Sequence, residues 1–207
     1  MENKVVRFYQ CEVRSANDEE HGDYIEGSPI VFRAVTDIGY FDEVIDDGAL
    51  DNADLRDVPL FVNHNAEMIP LARSRRNNSN STMQLIPTEN GMNFRANLDT
   101  ENNSTARELK SAVDRGDIDG MSFAFSVDAD EWENLDSDHP TRHIRSISKV
   151  YEISAVTFPA YPQTSIYMSR SEADRNALEN ARGLLENKRA EQRAEQVKRL
   201  KEMLKEI

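Results

Sequence analysis

The chain has 207 residues, with Lys+Arg 25 against Asp+Glu 38 and a formal net charge of −13. Hydrophobic residues make up 38% and charged residues 30%, against roughly 45–50% and ~25% in ordinary globular chains. An acidic chain of this kind argues against a nucleic-acid reader, which needs clustered Lys and Arg to neutralise phosphate, and against docking on an anionic membrane surface.

Cys11 is the only cysteine, so an internal disulfide and a cysteine-based zinc site are both excluded. Met1-Glu2-Asn3-Lys4 runs straight into Val5-Val6-Arg7 with no apolar h-region, and no apolar run approaches the ~20 residues that span a bilayer. The expectation is a soluble protein made in a reducing compartment. Composition divides the chain in two. Residues 171–207 hold 8 acids and 9 bases, no Pro and one Gly, and leave a charge of −14 on residues 1–170.

In chain order, Val5, Tyr9, Cys11 and Val13 fall on one face of an extended segment. Ile30–Val35 reads as a second strand after a break at Gly27-Ser28-Pro29. Phe41 to Asp57 carries seven acids around Gly48-Ala49-Leu50 and reads as turn plus short helix. Val58–Val62 is a compact apolar strand ending at Asn63-His64. Thr82–Ile86 and Met92–Leu98 flank Glu89-Asn90-Gly91, a hairpin signal.

Thr105 with Glu108 forms a capping box, Leu109 and Val113 pair at i, i+4, and Gly116 stops the helix. Met121–Val127 alternates as a strand, with Met121, Phe123, Phe125 and Val127 on one face and Ser122, Ala124 and Ser126 on the other. An acidic loop from Asp128 to Asp138 precedes His143–Val156, one long strand or two consecutive ones. Pro159 and Pro162 end the sheet. Many short strands with few helices predict a mainly β domain with helices (α+β), built as a barrel. In the tail, Leu178, Ala181, Leu185, then Ala190, Ala194, Val197, then Leu200, Leu204, Ile207 recur at 3 and 4, giving an amphipathic helix with a kink near Gly183.

Nucleophilic hydrolysis needs a hydroxyl or thiol, a base within reach, and a group that orients the base. Of His21, His64, His139 and His143, His64 ends an apolar strand, where a ring is held rigidly beside a cleft. Ser122 lies on the small-residue face of its strand, just after the turn Gly116–Gly120, whose amides are candidates for an oxyanion hole. A serine in an alternating strand also reads as a surface residue, and a histidine ending a strand as a cap. His139 and His143 are four apart, the spacing of two metal ligands on a helical turn, but Pro140 between them opposes a helix and no designed metal site is expected. Arg73, Arg75 and Arg76 form a basic cluster suited to acidic substrate or to exposed hairpin charge.

Three strings carry a resemblance: Leu60-Phe61-Val62-Asn63-His64, Arg115–Phe125 with Gly116-Asp117-Ile118-Asp119-Gly120-Met121-Ser122, and Tyr151–Pro162 with Glu152-Ile153-Ser154 and Pro159-Ala160. Together with Phe41–Ile45 and Gly48-Ala49-Leu50, in that order over about residues 22–165, they are similar to the tailed-phage prohead serine protease family, related to herpesvirus assemblin. The resemblance implies an assemblin-like β-barrel in residues 1–170, with His64 as base and Ser122 as nucleophile. Glu152 is the implied third member and His143 its rival. Ala124 stands where a glycine is common in the family.

The resemblance further implies a serine endopeptidase that cleaves a scaffold protein or the scaffold segment of the major capsid protein, and itself, during prohead maturation. It would act without a cofactor or metal, inside the assembling prohead in the host cytoplasm, with no nucleic-acid or membrane partner and with self-association open. The helical tail, 171–207, would engage scaffold or capsid or be removed by self-cleavage. A catalytically silent assembly protein and a metal-dependent hydrolase using His139 and His143 are the alternatives.

Overall fold

The computed structural model describes residues 4–10, 13–18, 22–157 and 172–203; Cys11, His21, Pro159, Pro162, Leu204 and Ile207 lie outside them. The strands are β1 (Lys4–Gln10), β2 (Val13–Asp18), β3 (Gly22–Val31), β4 (Val35–Asp37), β5 (Asp42–Ile45), β6 (Asp57–Val62), β7 (Ala72–Arg75), β8 (Met83–Thr88), β9 (Gly91–Asn97), β10 (Gly120–Glu133) and β11 (Thr141–Val156). The helices are α1 (Ser104–Asp114) and α2 (Glu172–Met203).

A seven-stranded sheet runs β1-β10-β11-β5-β4, with β6 paired to β11 and β7 to β6, and a four-stranded sheet runs β2-β3-β9-β8. The mainly β reading with helices therefore stands. The barrel does not: neither sheet closes on itself, and one apolar core, including Ile25, Met92, Phe94, Phe123, Ile147 and Ile153, draws on both.

Strand β11 organises the larger sheet. Its whole length pairs antiparallel with β10, while its other edge carries β5 in parallel at Thr141–Ile144 and β6 in parallel at Ile153–Ala155. The two parallel partners thus lie end to end along one strand. Over its first half β10 buries both of its side-chain sets: Phe123 and Phe125, but also Ser122 and Ala124, are fully inaccessible.

Several expectations shift locally. The break at Gly27-Ser28-Pro29 is a register irregularity inside β3, opposite β9, because a bulge lets proline sit in a strand without a ladder hydrogen bond. Phe41–Asp57 forms β5 and turns, with no helix. Helix α1 is capped by Asn103, whose side chain accepts from the Thr105 and Ala106 amides, so the cap lies two residues before Thr105. The 83–97 hairpin turns through Glu89-Asn90, and Gly91 opens β9 at φ 137. β10 runs on to Glu133 through residues expected to be an acidic loop.

The tail helix docks by its N-terminal half, the outermost contact among the described residues being Arg189, which pairs with Asp136 at 2.6 Å. Leu178 packs with Ile38 and Phe41, and Trp132 and Leu135 flank them. Asp174 accepts from Arg7 Nη2 at 2.8 Å, and Arg7 also grips Glu43 with Nε at 2.5 Å and Nη2 at 2.9 Å. Arg142 reaches the same Glu43 at 3.3 Å and Asp130 at 2.6 Å. Burial disfavours the Arg7 charge, but Glu43 and Asp174 outweigh it and raise its pKa above the ordinary value. Arg182 donates to the Leu135 and Ser137 carbonyls. Past Glu186 every described residue is exposed, Val197 and Leu200 included, and the helix runs unbroken through Gly183. Among the described residues, the expected apolar stripe is buried or half-buried at Leu178, Ala181 and Leu185 and exposed from Ala190 to Leu200.

Candidate active site

Parallel pairing of β6 with β11 ends at Val62 opposite Ala155, and the chain leaves the sheet there in a tight turn. Asn63 and His64 both adopt left-handed backbone, at φ 51 and 57, a conformation that costs non-glycine residues roughly 1–2 kcal/mol each. Hydrogen bonds to Ser154 and Ala155 at the end of β11 and to Thr157 just past it offset that cost. The Asn63 amide donates to the Ala155 carbonyl at 2.9 Å. The Asn63 side-chain oxygen accepts from the Thr157 amide at 3.1 Å and its hydroxyl at 3.2 Å. The His64 amide donates to Ser154 Oγ at 3.2 Å.

Held this way, the His64 ring places Nδ1 2.5 Å from Glu152 Oε1. The other carboxylate oxygen accepts from Ser154 Oγ at 2.7 Å. The Glu152 side chain is 6% exposed and that of His64 20%, so the carboxylate is shielded and the ring half-buried, with its Nε2 atom also shielded from solvent.

Ser122 follows from the register of β10 against β11. It lies directly opposite Ser154, and Ala124 opposite Glu152. Paired residues in an antiparallel ladder, and residues two apart on one strand, share a face. Ser122, Ala124, Ser154 and Glu152 therefore occupy one face, with His64 arriving from beyond the far edge of β11. Ser122 Oγ donates to the Arg7 carbonyl on β1 at 2.6 Å and is fully buried. Gly120, at the end of the turn considered for the oxyanion, already stands in the ladder opposite Gln10 and Val156.

His143 sits elsewhere. Nine residues of one extended strand separate it from Glu152, on the order of 30 Å at ~3.3 Å per residue. Its ring meets Asp46 through Nδ1 at 3.1 Å and Glu133 through Nε2 at 3.6 Å. His139 gathers with Asp37 and Asp42 in an exposed group whose ligand atoms lie within 4.8 Å of one another; His143 is not among them, so the two histidines do not share a cluster. Arg73 pairs with Asp57, while Arg75 and Arg76 are exposed.

The caudovirus prohead serine protease family model matches residues 10–179. The chain belongs to that family. The prohead protease of Enterobacteria phage HK97 is 31% identical over 172 residues, covering 81% of this chain and 69% of that protein. No solved structure matches. As a prohead serine protease the chain is a peptide-bond hydrolase of phage capsid maturation. The family match extends nine residues beyond the 170/171 boundary, into the turns of α2 that dock on the body. No described helix is long and apolar enough to cross a membrane.

Sequence reasoning singled out His64, Ser122 and Glu152 but passed over Ser154, although it stands inside the Glu152-Ile153-Ser154 string. The available signal was spacing: two residues after Glu152 on a strand is the same face.

Proposed function

We propose that His64, Ser122 and Glu152 form the catalytic set of this prohead protease. The observation that supports the set most strongly is the 2.5 Å contact between His64 Nδ1 and a buried Glu152 carboxylate on the sheet face that also carries Ser122. In the resting geometry the Ser122 hydroxyl donates a hydrogen bond to the Arg7 carbonyl; rotation about χ1 between staggered wells redirects Oγ. The oxygen attacks the substrate carbonyl as His64 takes its proton. Collapse of the tetrahedral intermediate breaks the C–N bond, and His64 returns the proton to the leaving amine. Water then repeats the sequence on the acyl-enzyme and regenerates Ser122. Throughout, Glu152 fixes the ring tautomer and stabilises the imidazolium.

The substrates on this reading are the scaffold protein or the scaffold segment of the major capsid protein, and the protease itself, cut inside the prohead in the host cytoplasm. Residues 1–170 form the catalytic unit. The helix beyond the docked turns is the scaffold-engaging element, supported by its exposed Val197, Leu200 and Met203. Kinship to herpesvirus assemblin belongs to the same reading and rests on the motifs.

Ser122→Ala, expressed with the major capsid and scaffold proteins, should leave both unprocessed and the protease uncut. Processing at the normal rate overturns the serine assignment. Deleting residues 190–207 keeps the docked turns; it should stop entry into proheads while sparing cleavage of soluble scaffold, and unchanged entry removes the tail's role.

A further inference from the structure

We propose that Ser154 is the positioning residue of this active site, setting the geometry between base and carboxylate through a single hydroxyl. The inference rests on the His64–Ser122–Glu152 reading and goes one layer beyond it.

The Ser154 hydroxyl is fully buried and is used in both directions. It donates to Glu152 Oε2 at 2.7 Å and accepts from the His64 main-chain amide at 3.2 Å. One end of the His64–Glu152 contact is thus a carboxylate whose rotation the hydroxyl limits. The other end is a backbone turn, left-handed at two successive non-glycine residues, whose second amide it pins. A carboxylate with two oxygens otherwise has freedom about its terminal torsion, which is broad and two-fold. Tying Oε2 to a strand residue leaves Oε1 aimed at Nδ1. The tie is short in chain terms as well: Glu152 and Ser154 are two apart on β11, so the pleat presents both to the same face.

Position relative to Ser122 adds to the case. Ser154 is its direct cross-strand partner, which places it between the nucleophile's strand and the turn carrying the base. A merely space-filling residue there would need no hydroxyl, and alanine fits a buried strand. Removing the hydroxyl takes a hydrogen-bond partner from the part-buried His64 amide and from the buried Glu152 carboxylate. It also lets the ring drift from its aim, and a displacement of about 1 Å at a catalytic group is enough to cost on the order of 10²-fold in rate.

The test follows Ser122 labelling by a fluorophosphonate, which needs no knowledge of the cleavage site, in the full-length protein. Ring-¹⁵N-histidine NMR reports the low-field proton on His64 Nδ1. Ser154→Ala should lower the maximal labelling rate about 10²-fold at unchanged half-saturating reagent, and should weaken or shift the Nδ1 proton signal. Ser154→Thr, which keeps the hydroxyl on a strand-compatible side chain, should restore both. Should the alanine variant fail to fold, Ser154→Cys decides, because a thiol is similar in shape and a weak donor; it should show the same rate loss.

If Ser154→Ala and Ser154→Cys label at the normal rate with the Nδ1 signal intact, while His64→Ala does not label, the hydroxyl is structural and the inference falls alone. If His64→Ala labels Ser122 at the normal rate, the underlying reading falls and takes the inference with it.

Discussion

Glu152 Oε1 lies 2.5 Å from His64 Nδ1 across 88 residues of chain. A contact that short, with the carboxylate shielded, makes the identity of the acid atom matter more than its bulk. Glu152→Gln keeps the shape but offers an amide that can donate to Nδ1, favouring the tautomer that cannot accept the serine proton. A fall in kcat on the order of 10³–10⁴-fold at near-constant KM is expected. His143→Ala, altering a ring committed to Asp46 and Glu133, should leave kcat at the wild-type value. Steady-state kinetics on a cleaved scaffold peptide checks both.

The two halves of α2 should respond differently to the same substitution. Leu178 is 6% exposed and packed against Ile38 and Phe41, whereas Leu200 is 55% exposed. Leu178→Ala should cost about 2–4 kcal/mol of docking, read as faster amide exchange over residues 172–185 with the sheet unaffected. Leu200→Ala should change neither exchange nor melting temperature.

Gly91 opens β9 at φ 137, and a Cβ there would fall 2.0 Å from the Ile30 carbonyl oxygen. Gly91→Ala must therefore strain its own backbone and push β3 from β9. A loss of about 2–4 kcal/mol is expected, measured by urea unfolding.

Asp23 accepts from Thr100 at 2.5 Å and Asn17 at 3.0 Å. The Thr100 hydrogen bond, then that of Asn17, hold its pKa below the ordinary value. A depressed folded pKa means the contribution is whole above the unfolded pKa of about 3.9 and drains as pH falls through the folded one. Asp23→Asn should thus cost about 1 kcal/mol at pH 7 and progressively less below pH ~4, seen as a flatter acid limb of the stability curve.

Local patterns carried further than long-range ones. The 83–97 hairpin, helix α1 and the strand after Val58 were readable because alternation and turn chemistry act over a few residues. The parallel pairing of β5 and β6 with β11 leaves no such trace: its partners lie about 90 residues or more apart, and either strand alone reads as a loop edge or a plain apolar run. The small face of β10 misled for a related reason. Ser122, Ala124 and Ser126 have the alternation of a solvent-facing set, yet all three are buried. At the active site the residue types were legible through their motifs, whereas Ser154 was not, since a strand serine gains meaning only once Glu152 and the His64 amide are seen on either side of its hydroxyl.

Among the described residues, strand β11 is also the last strand to be synthesised. Until it emerges, β5, β6 and β10 have no common partner, and pairings of such long sequence separation form late. Glu152 and Ser154 arrive on that same strand. On the ribosome, then, β1 can pair with β10 before β11 emerges, but His64 has no carboxylate beside it until then, and the larger sheet and that carboxylate are completed together.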